Sequence, residues 1–276
     1  MEDFLQALNE NKPAFGVDND NLSNCVRGGI YHYGETFSEL YKVGMNFISV
    51  IKNQVKGDSQ KSTSLLSILL EGKNGCGKTA LAAKLALESQ FPYVKMISPE
   101  NFVGYSEQGK ISQMVKVFED AYKSPLSLVI LDDLERLIEF IHIGPRFSNP
   151  ILQALLVLIK KKPPHPDRKL MIIGTTSMKG ILQEMELVDC FNVCQHVPNV
   201  RLKQEITAVL SNFKGSTEEV RRISQELTLA AEDESIGVGI PIKNLLLVTE
   251  LAIESSPSHT LEYKTFMHAY NSVSRD

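Results

Sequence analysis

The chain has 276 residues, enough for one large domain and a smaller one. Apolar residues make up 43% and charged residues 22%, and the formal net charge is −4, so the composition does not favour nucleic-acid binding. No run of about 18 apolar residues is present, so direct membrane insertion is not expected. The four cysteines lack metal-ligand spacing and the N-terminus lacks a signal pattern, which favours a reducing, cytoplasmic setting.

The N-terminal part of the chain predicts a connector followed by an aromatic turn. Residues 1–13 have the pattern of a short amphipathic helix that Pro13 ends, so we interpret them as a linker remnant. Further along, two glycines precede aromatic side chains in the run Gly28, Gly29, Ile30, Tyr31, His32 and Tyr33. This turn suits contact with a flat base, and a helix end with packing aromatics is the open alternative.

An apolar strand over 65–71 then breaks into a glycine-rich turn that leads into an alanine- and leucine-rich helix. Gly72, four further residues and Gly77-Lys78-Thr79 have the spacing of a phosphate-binding loop. Backbone N–H groups and the helix N-terminus would surround a phosphate, Lys78 would reach the β- and γ-phosphates, and Thr79 would ligate Mg²⁺. The sequence therefore predicts a nucleotide site; an ordinary glycine-rich turn is the alternative.

Four more segments have the almost wholly apolar character of strands buried on both faces. They are Tyr93–Ile97, Leu128–Leu131, Leu170–Gly174 and Val193–Val197. Because helical patterns separate them, we expect an α/β fold with a parallel sheet covered by helices on both sides. The third strand ends in Asp132, which could hold the hydration shell of Mg²⁺, and Asp133, which could polarise an attacking water. The helix predicted over 151–162 is apolar nearly all round, so it should bury more than one face.

From about Val200 only helical periods remain, interrupted at Gly215 and at Gly237 and Gly239. Pro241 suits the first turn of one of these helices and places Lys243 near its N-terminus. We therefore predict a nucleotide-binding domain over 14–199 and a small helical lid domain over 200–276.

The phosphate loop, the aliphatic-Asp-Asp strand, the polar strand end Thr175-Thr176-Ser177 and a helical lid with Lys243 together resemble the AAA+ ATPase module. Over essentially the whole chain, segments such as 12–16, 70–72 with 77–83, and 143–149 resemble the second ATPase domain (D2) of the N-ethylmaleimide-sensitive fusion protein family. These vesicle-fusing ATPases disassemble SNARE complexes with the adaptor SNAP. The resemblance implies five parallel strands, ATP bound at a subunit boundary and a homohexamer.

The resemblance also has consequences for partners and location. The family's adaptor-binding N-terminal domain and first ATPase domain (D1) do not fit into this chain, so we expect an isolated D2 domain. In the full-length protein, D1, SNAP and the SNARE complex would be partners in vesicle trafficking. Association with membranes would be peripheral, through those partners.

Site residues follow from the resemblance position by position. The segment from Gly28 to Tyr33 matches the adenine side, with Ile30 and Tyr31 nearest the base. Lys243 matches the second sensor, which reaches the γ-phosphate, although its glycine-based motif is imperfect here. The residues expected to surround the phosphates are Asn74, Gly75, Cys76, Gly77, Lys78, Thr79, Ala80 and Leu81.

Three features predict slow hydrolysis. Asp133 stands where active relatives usually have Glu, and misplacement of a reacting group by about 1 Å can cost on the order of 100-fold. Ser177 stands where they usually have Asn. No arginine occurs over 184–197, and a missing arginine finger can remove roughly 10³–10⁵ in rate. We therefore expect an ATP-dependent structural clamp.

Several alternatives remain open at this stage. A catalytically active AAA+ remodeller, in which Asp133 suffices as base, is the main one. A small-molecule P-loop kinase lacks an arginine-rich lid here, a GTPase lacks its guanine-reading aspartate, and an inert scaffold is disfavoured by Lys78, Thr79 and Asp132.

Two single residues also carry predictions. Cys76, beside a helix N-terminus, is predicted to have a lowered thiol pKa and to react with maleimides. Phe102-Val103-Gly104 resembles the loop that grips substrate in AAA+ pores, and a core position for Phe102 is the alternative.

Overall fold

The computed structural model describes residues 16–56, 63–144, 146–232 and 239–273. The predicted N-terminal linker, Pro145 and Gly237 lie outside the described residues. The strands are β1 (Leu65–Glu71), β2 (Tyr93–Ile97), β3 (Leu126–Leu131), β4 (Lys169–Thr176) and β5 (Val193–His196). The helices are α1 (Asn19–Cys25), α2 (Glu35–Lys56), α3 (Lys78–Ser89), α4 (Glu107–Ala121), α5 (Leu134–Leu137), α6 (Asn149–Lys160), α7 (Lys179–Glu184), α8 (Lys203–Leu210), α9 (Thr217–Glu232), α10 (Ile242–Ser255) and α11 (Tyr263–Val273).

The strands form one parallel sheet in the order β2-β3-β4-β1-β5. All eight residues of β4 are buried, as expected for a central strand with helices on both faces. Because the strands are parallel, the carboxyl ends of β1, β3 and β4 meet at one edge of the sheet. The predicted α/β architecture with five parallel strands is confirmed.

Side chains alternate between two apolar cores, one on each face of the sheet. Ile68 and Leu70 of β1 join a core that contains Leu81 and Leu85 of α3. Leu69, which points the other way, joins a second core that contains Phe118 of α4. Among the described residues, no helix has both the length and the apolar character needed to cross a membrane.

Helix α6 differs from its sequence-based prediction. Ser148 caps its N-terminus by accepting the backbone N–H of Ile151 at 3.2 Å, and its inner face is buried. Val157, however, is 62% exposed. The chain by itself therefore buries one broad face of this helix, and the prediction of more than one buried face is not met within the chain.

The four helices α8–α11 follow β5, in agreement with the predicted change of character near Val200. Val200 pairs with Ile240 in an isolated bridge, so two distant parts of this region are tied together by backbone hydrogen bonds. Ile206, Leu245 and Phe266 are buried in the same core that contains Ile68 of the sheet.

Phe102 lies in the core, which is the alternative that the sequence left open. It ends a short 3-10 turn (Pro99–Phe102), is 7% exposed and packs edge-on against Tyr105. Two large apolar or aromatic side chains that follow this turn, Val103 and Tyr105, are exposed. Of the two positions that the sequence left open for Phe102, substrate contact or core, the structure shows the core position, because its ring is used in packing.

Candidate nucleotide-binding site

The phosphate-loop sequence forms a tight turn between the end of β1 and the start of α3. Gly75 and Gly77 have φ values of 80° and 97°, in the left-handed region that glycine adopts without steric cost. Gly72 is in close contact with another segment: a Cβ atom at this position would lie 2.3 Å from the carbonyl oxygen of Val197. The glycines of the motif are therefore required by the backbone path.

Lys78 is the buried cation of this loop, at 5% exposure. Its ammonium donates hydrogen bonds to the carbonyl oxygens of Gly72 and Lys73, both at 2.9 Å, and to Ser177 Oγ at 3.0 Å. Ser177 Oγ in turn donates to Asn74 Oδ1 at 2.5 Å. The end of β4 is thus joined to the loop through the Lys78 ammonium.

Asp132 follows β3 and meets two threonine hydroxyls. Its Oδ1 accepts from Thr79 Oγ1 at 2.7 Å and from Thr175 Oγ1 at 2.8 Å. Burial raises the pKa of Asp132, and these two hydrogen bonds and the charge of Lys78 oppose the increase. The two residues that the sequence assigned to Mg²⁺, Thr79 and Asp132, are therefore adjacent.

Asp133 starts the turn into α5 with φ 50°, a left-handed conformation that is uncommon for residues other than glycine but that aspartate tolerates better than most. Its backbone N–H donates to Thr175 Oγ1 at 2.9 Å. Burial raises the pKa of Asp133, and the nearby charges of Asp132 and Glu135 add to the effect. Asp133 Oδ2 lies 3.9 Å from Arg136 Nε, within ion-pair distance but beyond hydrogen-bond range.

Lys78, Thr79 and Asp133 line a cavity of about 780 Å³. Asp132 and Ser177, which the sequence also assigned to the site, do not line it and are joined to it through their hydrogen bonds with Thr79 and Lys78. Lys243, at the start of α10, reaches the cavity from the helical part of the chain, and its backbone N–H donates to the carbonyl oxygen of Gly75 at 3.0 Å. Pro241 is the N-cap, so the helix begins one residue later than predicted. The predicted site residues that line the cavity are Gly28, Gly29, Ile30, Tyr31, Tyr33, Asn74, Gly75, Cys76, Gly77, Lys78, Thr79, Ala80, Leu81, Asp133 and Lys243.

All but one of the predicted residues of the aromatic turn line the cavity. Tyr31 lines the cavity and stacks on Phe213 of the helical part, with 5.7 Å between ring centroids. His32 does not line the cavity; it packs edge-on against Phe37, which does line it, and against Tyr41, so the structure does not bear out its predicted place beside the adenine. Tyr33 is 3% exposed, and burial raises the pKa of its hydroxyl to about 12.

Cys76 contradicts the prediction of a reactive thiol. It is 1% exposed, and burial raises the pKa of its thiol even though the Lys78 ammonium opposes the change. The favourable position beside a helix N-terminus is therefore outweighed by desolvation.

A maleimide is expected to modify Cys194 before Cys76. Cys194 is the exposed cysteine of the chain, whereas Cys76 and Cys190 are buried and Cys25 is half-buried. The check is a time course of labelling followed by peptide mass analysis, with Cys194→Ser as the control that should remove the fast phase. Fast labelling of Cys76 in the folded protein would contradict this interpretation.

Two residues beside the cavity were missed from the sequence. Arg136 lines the cavity one helical turn after Asp133. Glu135 is 5% exposed and accepts hydrogen bonds from Thr176 and Ser177. Both lie within three residues of Asp133, and charged residues inside an otherwise apolar run are the signal that could have identified them.

Comparison with known proteins agrees with this geometry. The family described as "ATPase family associated with various cellular activities (AAA)" matches residues 68–199. The chain is 40% identical to "Vesicle-fusing ATPase" of Arabidopsis thaliana over 267 residues, which cover 95% of this chain and 33% of that protein. It is 37% identical to "Vesicle-fusing ATPase" of Dictyostelium discoideum, over 98% of this chain and 34% of that protein.

A third relative is "Vesicular-fusion protein SEC18" of Saccharomyces cerevisiae, at 42% identity over 88% of this chain and 31% of that protein. The chain spans about a third of the length of these relatives. The five strands of the sheet, the phosphate loop and the acidic end of β3 lie within the matched residues, apart from the first three residues of β1. Residues 68–199 of this chain therefore form a P-loop domain that matches the AAA family.

Proposed function

We propose that this chain is a D2-type domain of a vesicle-fusing ATPase, in which Mg·ATP bound between neighbouring copies holds a homohexamer together. Hydrolysis by this domain is slow. The observation that carries the proposal is the phosphate loop with its buried Lys78, which lines a cavity large enough for a nucleotide. In the same loop, the Thr79 hydroxyl donates to the Asp132 carboxylate at 2.7 Å. Residues 14–199 form the nucleotide-binding domain and residues 200–276 the helical lid.

The two ends of the cavity differ in a way that suits ATP. Ile30 and Tyr31 provide an apolar and aromatic wall for the adenine, and Tyr31 is supported from behind by Phe213. At the other end, the loop from Asn74 to Leu81 provides backbone N–H groups and the Lys78 ammonium for the phosphates. Lys243 brings a second cation from the lid towards the γ-phosphate.

The oxygen atoms at the phosphate end fit Mg²⁺. Thr79 and Asp132 offer a hydroxyl and a carboxylate, the hard ligands that this ion prefers. In the proposed complex, Thr79 binds the ion and Asp132 holds one of its waters. Bound Mg²⁺ would neutralise part of the phosphate charge.

The geometry of the acidic residues supports slow turnover. Asp133 has one methylene fewer than the glutamate of active relatives, and its carboxylate lies near Arg136. The Ser177 hydroxyl is already engaged by Lys78 and Asn74. The main alternative is a catalytically active AAA+ remodeller, which the presence of Asp133 in the cavity lining favours. A fast rate of steady-state ATP turnover would distinguish it from the structural clamp.

The names of the relatives extend the proposal to the full-length protein. Relatives of similar sequence are called vesicle-fusing ATPases, so we infer a role in vesicle trafficking. Its partners would be a D1 domain in the same polypeptide, a SNAP adaptor and SNARE complexes. The protein would be cytoplasmic and would meet membranes only through these partners.

Assembly measured with and without nucleotide tests the clamp. We expect sedimentation to show hexamers in Mg·ATP and smaller species after the nucleotide is removed, and we expect the extracted ligand to be ATP. A ligand at 1,000 times its dissociation constant stabilises the bound form by about 4 kcal/mol, which is enough to shift such an equilibrium. A protein that contains no bound adenine nucleotide and assembles to the same size with and without Mg·ATP would contradict the proposal.

Asp133→Glu is expected to raise steady-state turnover about tenfold. The added methylene advances the carboxylate by more than about 1 Å, and misplacement of that size can cost on the order of 100-fold; the missing arginine limits the gain. Phosphate release at matched hexamer concentration is the measurement. Asp120→Glu, on α4 in an ion pair with Lys123, is the control and should leave the rate unchanged. An unaltered rate in Asp133→Glu would indicate that carboxylate reach is not limiting.

A further inference from the structure

Glu135 is a buried carboxylate beside the proposed site, and sequence reasoning gave it no role. It is 5% exposed and stands two positions after Asp133 in α5. Glutamate is almost never fully buried unless it is paired or hydrogen-bonded, because removing a carboxylate from water is costly. Its contacts therefore indicate what it does.

Both carboxylate oxygens of Glu135 accept hydrogen bonds from the end of β4. Oε1 accepts the backbone N–H of Ser177 at 2.9 Å, and Oε2 accepts the hydroxyl of Thr176 at 2.8 Å. The same Thr176 hydroxyl accepts the backbone N–H of Met178 at 3.0 Å. Glu135 thus fixes the path by which the chain leaves β4.

Ser177 connects this fixed backbone to the phosphate loop. Its hydroxyl accepts from the Lys78 ammonium at 3.0 Å and donates to Asn74 Oδ1 at 2.5 Å. Lys78 and Asn74 both line the cavity. Ser177 therefore bridges Glu135 and the Lys78 ammonium, because its backbone N–H donates to Glu135 and its hydroxyl accepts from Lys78.

We propose that Glu135 is a positioning residue that sets the preference of this site for ATP over ADP by holding Ser177 against Lys78. The inference rests on the proposed function, in which this cavity binds ATP. Lys78 is expected to contact the β- and γ-phosphates. Displacement of Ser177 would therefore change the position of the Lys78 ammonium at the place where the γ-phosphate binds. Contacts that ATP and ADP share, along the base and the rest of the loop, stay in place.

Glu135→Gln tests the proposal because the amide keeps the side-chain volume but leaves one acceptor oxygen where the carboxylate has two. We expect this variant to lower the ratio of the ADP to the ATP dissociation constant about tenfold. Titration calorimetry on the full chain in Mg²⁺ measures both constants. Glu139→Gln, which removes an exposed carboxylate paired with Lys110, is the matched control and should leave the ratio unchanged.

A double-mutant cycle separates positioning from general structural damage. In a Ser177→Ala background, Glu135→Gln is expected to change the ratio by less than about twofold, because the hydroxyl through which Glu135 acts is gone. An equal loss in both backgrounds, or no loss in either, would overturn the proposal. Glu135→Asp, which keeps the charge and shortens the reach, replaces Glu135→Gln in the same cycle if the amide variant does not fold.

Failure of the inference and failure of the proposed function give different results. If the unmodified chain binds neither nucleotide, the proposed function fails. If it binds ATP and Glu135→Gln retains the same ratio, only the inference fails. Hydrogen exchange of the unmodified protein is an independent check: the Ser177 amide should exchange slowly, and exchange as fast as in exposed backbone would also overturn the proposal.

Discussion

Lys78→Ala is expected to lower the affinity for Mg·ATP at least about 100-fold and to abolish nucleotide-dependent assembly. The side chain is the buried cation of the phosphate loop, and its ammonium already lies among the loop's carbonyl oxygens. Hydrogen bonds to charged groups contribute about 1.5–3 kcal/mol, and about 2.7 kcal/mol corresponds to 100-fold. Calorimetric titration and sedimentation measure the two effects.

The matched control for this experiment is Lys84→Ala. Lys84 lies on the same helix, α3, and its ammonium pairs with Glu88 at 2.6 Å on the surface. Exposed ion pairs of this kind contribute little to stability, so ATP affinity and assembly should remain as in the unmodified chain. If Lys78→Ala is folded and still binds ATP with unchanged affinity, the phosphate loop is not the binding element.

Gly72→Ala is expected to destabilise the folded chain by about 3 kcal/mol or to prevent folding. The new Cβ atom would lie 2.3 Å from the Val197 carbonyl oxygen and 3.0 Å from Cys76 Sγ. Overpacking in a rigid interior typically costs about 1–3 kcal/mol, and a clash with backbone belongs at the upper end. The backbone cannot easily yield, because Val197 N–H donates to the Glu71 carbonyl oxygen at 2.7 Å.

Chemical denaturation of the nucleotide-free protein measures this loss. Gly180→Ala is the control, since a Cβ atom at Gly180 meets nothing within 4 Å and alanine favours the helix α7 in which it lies. Equal stability of Gly72→Ala and the unmodified chain would mean that the contact with Val197 is not a constraint.

The parallel sheet could be predicted from the sequence because its signal is local. Strands β1 to β4 are short, mostly apolar runs bounded by polar or glycine-rich segments, and such runs are typical of strands buried on both faces. The edge strand β5 has a weaker signal, because half of its residues are polar and its side chains alternate between half-buried and exposed. The positions of Lys78 and Thr79 follow from spacing within one loop. Asp132 follows from its place at the end of an apolar strand, and parallel topology then brings it next to Thr79.

The direction of individual side chains could not be predicted in the same way. Cys76 borders the cavity but is only 1% exposed, and His32 packs on Phe37 instead of lining the cavity. Whether a side chain in a turn faces a ligand, the core or solvent depends on elements packed from distant parts of the sequence. Glu135 was missed for the same reason, since its partners at the end of β4 are 41 and 42 positions away.

The contact between Lys243 and Gly75 is made by a backbone N–H and a backbone carbonyl oxygen. Such a contact does not depend on the identity of either side chain. Replacement of Lys243 would therefore alter the charge presented to the cavity while the C-terminal helices stay attached to the loop. Substitutions at Lys243 could therefore change the electrostatic potential in the cavity without breaking the backbone contact between the C-terminal helices and the phosphate loop.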